Sequence, residues 1–90
     1  MSKQRGLLLF TAGWCQHCKV ITPLLESMSS RGKINFRKVN VDYDASTVSR
    51  YNVKSVPTVI LTDLQGNEIS RKGGAGLGEN DIMAWYNGEI

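Results

Sequence analysis

Short apolar segments alternate with helical patterns along the chain, beginning with Leu7–Phe10. A block of consecutive apolar residues predicts a strand that is buried on both faces, and we place this first strand at about residues 6–12. A first helix is predicted over about residues 15–30, with Pro23 kinking its axis and Gly32 ending it in a left-handed conformation. The apolar residues that recur at helical spacing are Val20, Ile21, Leu24, Leu25 and Met28.

The remaining pattern predicts three more strands and two more helices. Ile34–Val41 is the second strand, and a strand–helix–strand connection of this length implies parallel pairing with a right-handed crossover. A short helix reaches Tyr51 and is capped by Asp44 or Ser46. The later elements are a third strand at Val59–Thr62, a hairpin turn at Gln65–Asn67, a fourth strand at about Glu68–Lys72, and a helix from about Glu79 that buries Ile82, Trp85 and Tyr86.

The order of these elements predicts an α/β fold. A βαβ unit is followed by a short helix and a ββα unit, which gives a four-stranded mixed sheet in the order 2-1-3-4, flanked by three helices. With 90 residues, 41% of them hydrophobic, we expect one domain over residues 1–90 with a modest core.

Composition and charge narrow the classes of function. No run approaches the roughly 20 apolar residues of a membrane span, and the apolar segment after the first six residues is too short for a signal peptide. We therefore expect a cytoplasmic protein that is not inserted in a membrane. The net charge of +3 comes from scattered Lys and Arg, which indicates a solvated surface rather than a nucleic-acid interface.

Both cysteines, Cys15 and Cys18, lie at the predicted junction between the first strand and the first helix. Unpaired backbone N–H groups and the positive end of the helix dipole favour a thiolate at that position, and Cys18 lies one turn further on. This arrangement favours a dithiol–disulfide couple. Zinc would need four ligands, whereas the chain offers one histidine and no further cysteine. An inert structural disulfide is disfavoured because so small a loop constrains little of the unfolded chain.

The segment Trp14–Lys19 resembles the active-site segment of the thioredoxin family. The other matching residues are Pro23, Lys38–Asp42, Val56–Thr58 and Gly74–Ala75. The resemblance covers most of the chain from Leu7 onward and implies a thioredoxin fold that performs thiol–disulfide exchange, with Cys15 attacking and Cys18 resolving, and with no metal or cofactor. It also implies that the Val56–Pro57 bond is cis, that the proline lies against the cysteines, and that the backbone before it pairs with an extended substrate.

Three departures from the family pattern bear on function. The chain lacks the strand and helix that precede the first strand of a full-length thioredoxin, so it resembles a minimal core of glutaredoxin size. The family's buried aspartate falls at Leu9, although its usual partner, Lys38, is kept. The proton relay for Cys18 must therefore use water or another group. The residues between the cysteines are Gln16 and His17 rather than Gly-Pro, and His17 resembles the histidine of disulfide isomerases and bacterial periplasmic oxidants.

Several residues around the cysteines are candidates for supporting roles. Trp14 either packs in the core or, as we favour, shields the thiolate and offers substrates an apolar edge. Pro57 has the alternative of an ordinary proline at the start of a strand. The candidates for electrostatic tuning of the thiolate are His17, Lys19 and Lys38, although an exposed lysine is usually only solvated. The candidate substrate-binding residues are Trp14, Val56, Pro57 and Gly74.

The leading hypothesis is a small, monomeric thiol–disulfide oxidoreductase that reduces protein disulfides. The alternative from another class is an accessory subunit whose redox chemistry is incidental. Within the enzyme class, Trp14 favours a thioredoxin reductase as the electron donor. The short length and the Gly73–Gly74 pair are also compatible with glutathione.

Overall fold

The computed structural model describes residues 5–88, in which four strands and three helices follow one another in the predicted order. The elements are β1 (Arg5–Thr11), α1 (Cys18–Ser30), β2 (Phe36–Asn40), α2 (Ala45–Tyr51), β3 (Thr58–Asp63), β4 (Glu68–Gly73) and α3 (Glu79–Tyr86). The sheet order is β2-β1-β3-β4, with β1 parallel to β2 and antiparallel to β3, and β3 antiparallel to β4. The predicted mixed sheet is confirmed.

Side chains of β1 alternate between two apolar clusters, one on each face of the sheet. Leu7 and Leu9 belong to the cluster that includes side chains of α1 and α3. Phe10 belongs to the opposite cluster, in which Leu8 and residues of α2 also pack. The prediction that the Leu7–Phe10 segment is covered on both faces is confirmed, although Leu8 is only partly buried.

The first helix begins at Cys18, three residues later than predicted. The residues before it form a hydrogen-bonded turn, in which the N–H of Lys19 donates to the carbonyl of Gln16 at 3.1 Å. Pro23 lies inside the helix, which continues to Ser30. The predicted left-handed stop is confirmed, since Gly32 has φ +75° and its N–H donates to Ser29 O at 3.0 Å.

The second strand is shorter than predicted, Phe36–Asn40 instead of 34–41, although the N–H of Val41 still donates to Thr11 O at 2.9 Å. Of the two candidate caps of α2, Asp44 is the cap: its carboxylate accepts the N–H of Thr47 at 3.2 Å. The hydroxyl of Ser46 donates to the same carboxylate at 3.1 Å, so the second candidate supports the first.

The β3–β4 hairpin is organised by one carboxylate that the sequence pattern did not single out. Asp63 Oδ1 accepts the backbone N–H of Asn67 at 2.9 Å and that of Gln65 at 3.0 Å. These hydrogen bonds, the one from Asn67 foremost, hold the pKa of Asp63 below its usual range. Gly66 supplies the positive φ of +85° at the tip, and the Tyr51 hydroxyl donates to its carbonyl.

The last helix buries Ile82, Trp85 and Tyr86, as predicted. An acidic residue in its first turn caps the helix, because Asp81 Oδ2 accepts the N–H of Gly78, the residue before the helix, at 3.0 Å. None of the helices between residues 5 and 88 has the length and apolar character that a membrane crossing needs.

The hairpin carboxylate gives a pH-dependent stability. Because the pKa of Asp63 is depressed in the folded state, its contribution is present above the unfolded value of about 3.9 and is lost as the pH falls through the folded value. We expect Asp63→Asn to lower the unfolding midpoint at neutral pH, and the gap to the parent protein to narrow below pH of about 4. Urea unfolding of both proteins across this pH range measures the difference between their midpoints.

Asp42→Asn is the matched control, since the Asp42 side chain is exposed and makes no hydrogen bond or ion pair within residues 5–88. It should leave the midpoint nearly unchanged at both pH values. An equal loss in the two variants would contradict the role given to Asp63.

Candidate active site

The two cysteines lie just beyond the end of β1, where the chain turns into α1. They form a disulfide, with their Cα atoms 5.3 Å apart. The N–H of Cys15 donates to the carbonyl of Ala12 at 3.2 Å, which closes the turn that leads out of the strand. Ala12 and both cysteines make a small buried cluster against which Val41 and Val56 pack. The prediction that the pair occupies the strand–helix junction is confirmed.

The start of α1 directs a backbone donor at one of the two sulfurs. The N–H of Cys18 points to the Sγ atom of Cys15 at a distance of 3.2 Å. A backbone N–H that donates to sulfur favours the thiolate over the thiol, and the positive end of the helix dipole acts in the same direction. Cys15 is 6% exposed and Cys18 is 2% exposed. The sulfur that receives the donor is thus also in the more accessible residue.

The side chain of Trp14, the residue before Cys15, projects from the protein surface. It is 68% exposed, so its side chain is not part of the core. Its ring borders an apolar groove of about 210 Å³ that runs from the cysteine turn to the segment before β3. The other residues that line this groove are Val41, Val48, Val53, Lys54, Ser55 and Val56.

The segment before β3 borders the cysteine cluster through Val56. The Val56–Pro57 bond is cis, Val56 packs against the cysteine cluster, and Pro57 is buried. The N–H of Gly74 donates to the carbonyl of Pro57 at 3.0 Å. A Cβ atom on Gly74 would come within 2.9 Å of the Cβ atom of Pro57, so this contact requires glycine.

The three basic candidates lie in different surroundings. His17 is exposed at the start of α1, and its imidazole makes no hydrogen bond within residues 5–88. Lys19 is exposed and lines a groove beside Cys18. Lys38 donates to Glu26 on α1, with Nζ and Oε2 2.8 Å apart, and both side chains are about half exposed. The ion-pair partner of Lys38 is therefore Glu26, at the surface.

The groove beside Cys18 is a feature that the sequence analysis missed. It has a volume of about 310 Å³ and is lined by Thr11, Ala12, Gly13, Cys18, Lys19, Thr22 and Pro23. Leu9, by contrast, is fully buried among apolar side chains. The signal for the groove was present in the sequence, because Thr11 continues the alternate row of Leu7 and Leu9, and Thr22 lies one turn after Cys18.

Within the described residues, no three side chains of the metal-binding types His, Cys, Asp and Glu come together. The chemistry that the geometry supports is carried by the sulfur pair. The Sγ atom of Cys15 accepts a backbone N–H, and Cys18 is the more buried of the two residues. Val41 and Val56, which pack against the cysteine cluster, also line the apolar groove.

Comparison with known proteins agrees with this geometry. The family model described as Thioredoxin matches residues 1–87. Thioredoxin of Rickettsia conorii is 34% identical over 86 residues, which cover 93% of this chain and 80% of that protein. Thioredoxin of Chlamydia caviae is 40% identical over 81 residues, covering 87% of this chain and 76% of that one.

Solved structures resemble the fold at similar coverage. A mutant thioredoxin of Halobacterium salinarum superposes with a TM-score of 0.82 at 25% identity, covering 94% of this chain and 74% of that chain. Reduced Schistosoma mansoni thioredoxin pre-protein superposes with a TM-score of 0.80 at 28% identity, covering 98% of this chain and 81% of that chain. From the family match, the relatives and the Cys15–Cys18 pair, we conclude that this chain belongs to the thioredoxin family and is a thiol–disulfide oxidoreductase that acts on protein disulfides.

Proposed function

We propose that Cys15 is the attacking thiol and Cys18 the resolving thiol in the reduction of protein disulfides. The observation that supports this assignment is the N–H of Cys18, which donates to the Sγ atom of Cys15 and not the reverse. The Cys15 thiolate attacks one sulfur of the substrate, a mixed disulfide forms, and the second substrate sulfur leaves as a thiolate. Cys18 then attacks Cys15, which frees the first substrate sulfur and leaves the pair oxidised.

The substrate lies, in this proposal, across Trp14, Val56, Pro57 and Gly74. Trp14 offers an exposed apolar face at the edge of the groove next to the disulfide. The Val56–Pro57 segment borders the cysteine cluster, and its backbone can pair with an extended peptide. Gly74 holds Pro57 in place through a backbone hydrogen bond and a close contact.

His17 and Lys19 act, in this proposal, as electrostatic neighbours of the Cys15 thiolate. Both are exposed and near the N-terminus of α1, so the charge of Lys19, and that of His17 when its imidazole is protonated, adds to the helix dipole only in screened form. The ion pair with Glu26 offsets the positive charge of Lys38, so of the three residues we expect Lys38 to stabilise the thiolate least.

For the remaining assignments we propose a dedicated thioredoxin reductase as the electron donor, with glutathione as the alternative. The exposed Trp14 next to the motif supports a protein donor, which needs an apolar contact surface. A cytoplasmic location follows from a reductase role, because thiols are kept reduced there. We propose a monomer of one domain. The exposed large apolar side chains of the described residues lie in several different segments: the cysteine turn, α1, the connection from β2 to α2, and the β3–β4 hairpin. They are Trp14, Val20, Tyr43, Leu64 and Ile69.

The assignment of the two thiols predicts which variant traps a substrate. Cys18→Ser should accumulate a mixed disulfide with a disulfide-bonded peptide, because the resolving thiol is gone, whereas Cys15→Ser should form none. Non-reducing electrophoresis with mass spectrometry measures the adduct. Trapping by Cys15→Ser alone would reverse the assignment. Reductase activity of Cys15→Ser equal to that of the parent would remove the cysteines from the mechanism and favour the accessory-subunit alternative.

The close contact between Gly74 and Pro57 predicts a local substitution effect. In Gly74→Ala the new methyl group must displace Pro57, so we expect a stability loss of about 1–3 kcal/mol and a several-fold higher KM for a disulfide peptide. Gly73→Ala is the matched control, since nothing lies within 4 Å of a Cβ atom there. Thermal unfolding and peptide-reduction kinetics measure both effects. Equal KM values for the two variants would contradict the substrate-binding role of Gly74.

The histidine between the cysteines predicts a shift in redox potential. Positive charge near the thiolate stabilises the reduced form, so we expect a potential between about −250 and −200 mV. His17→Pro should lower it by about 20 mV, a small shift because the site is exposed. The φ of His17 is −66°, which proline also adopts. Equilibration with glutathione measures the potential, and Gln16→Ala serves as the control. An unchanged potential in His17→Pro would exclude His17 as the tuning residue.

A further inference from the structure

Cys18, although only 2% exposed, is one of the residues that line the groove beside it, and Trp14 does not line this groove. We propose that Thr11 and Thr22 position water in this groove, and that this water accepts the proton of the Cys18 thiol before the resolving attack. The proposal rests on the assignment of Cys18 as the resolving thiol. It makes the two threonines positioning residues for the established exchange reaction.

The resolving step needs a proton acceptor that the buried surroundings of Cys18 do not supply. The side chains packed in its cluster, Ala12, Val41 and Val56, are apolar. On the strand face toward α1, Leu9 is fully buried in an apolar cluster. The ionisable groups nearest along α1 are Lys19, which lines the groove, and His17, and no carboxylate lines the groove. Solvent is therefore the acceptor that the groove admits.

Two hydroxyls face the groove because of where the strand and helix periods place them. Thr11 continues the row of Leu7 and Leu9 on the face of β1 that α1 covers, and it is buried. Thr22 follows Cys18 by four residues, so both lie on one face of α1. Neither hydroxyl has a hydrogen-bond partner within residues 5–88, although each lines the same groove.

The proline inside α1 leaves a backbone carbonyl of a groove-lining residue without its usual helical hydrogen bond. Pro23 has no N–H, so the carbonyl of Lys19 lacks the hydrogen bond that residue 23 of an ordinary helix would donate. Lys19, Thr22 and Pro23 all line the groove. A bound water needs two to four polar partners, and the two hydroxyls, this carbonyl and the Cys18 thiol provide them.

The proton and electrons balance as follows. The Cys18 thiol donates its proton to groove water, and the resulting thiolate attacks the Sγ atom of Cys15 in the mixed disulfide. The Cys15–Cys18 bond forms, and the bond between Cys15 and the substrate breaks. The substrate sulfur leaves with the electron pair and is protonated by solvent. The cysteine pair is oxidised by two electrons, and the substrate disulfide is reduced by two.

Ellman's reagent separates the two steps in the full chain. Attack by Cys15 releases one thionitrobenzoate, and resolution by Cys18 releases the second. In stopped-flow measurements over a range of pH, Thr22→Val and Thr11→Val should leave the first release unchanged. They should slow the second by about tenfold, less than the 10²–10⁴ lost with a side chain that itself transfers the proton. Thr22→Ser and Thr11→Ser, which keep the hydroxyl, should restore the rate.

Thr62→Val is the control for loss of a hydroxyl outside the groove, since Thr62 is buried on β3 and donates to Gly6 O. An unchanged second release in both valine variants would overturn the proposal, as would serine variants that are as slow as the valine ones. Thr22 is only partly buried, so its variants carry the test if Thr11→Val does not fold. Absence of a second release in the parent protein would instead refute the thiol assignment.

Discussion

The register of the central strands decides where the chemistry of this protein can occur. Phe10, near the end of β1, pairs with Thr58 at the start of β3, and Thr58 pairs in turn with Gly73 at the end of β4. Three chain segments that are distant in sequence therefore meet at one edge of the sheet. They are the cysteine turn after β1, the Val56–Pro57 segment before β3 and Gly74 after β4. A shift of register by one residue would turn the apolar rows away from the helices and separate these segments.

The same edge is where α1 begins, which gives the two sulfurs different electrostatic surroundings. Because residues 15–17 form a turn and the helix starts at Cys18, the first free N–H of the helix reaches back to the Sγ atom of Cys15. This hydrogen bond stabilises a thiolate more than it stabilises a disulfide sulfur, since hydrogen bonds to charged acceptors are the stronger ones. Any group that favours the thiolate stabilises the reduced pair and raises the potential. The position of the helix N-terminus thus affects both the reactivity of Cys15 and the reduction potential of the cysteine pair.

The parts of the site that the sequence predicted are those with a local signal. Apolar periodicity placed the strands and helices, and the Cys15–Cys18 spacing at a strand–helix junction placed the redox pair. The cis bond before Pro57 came from the family resemblance alone, because most X–Pro bonds are trans. The features that were missed depend on partners that meet only after folding. Glu26 on α1 forms an ion pair with Lys38 on β2, and the Asp63 carboxylate accepts backbone N–H groups of the hairpin.

The row of alternate residues on β1 changes from apolar to polar where the strand approaches the cysteine pair. Leu7 and Leu9 fill the space under α1, where a carboxylate would lie among apolar side chains and its charged form would be disfavoured. Thr11, the next member of the row, lies where the groove opens beside Cys18. An apolar residue at Leu9 therefore keeps the core intact, and the first polar group of the row comes at the point that solvent can reach. In the proposed mechanism, the proton of Cys18 therefore passes to solvent rather than to a buried acid.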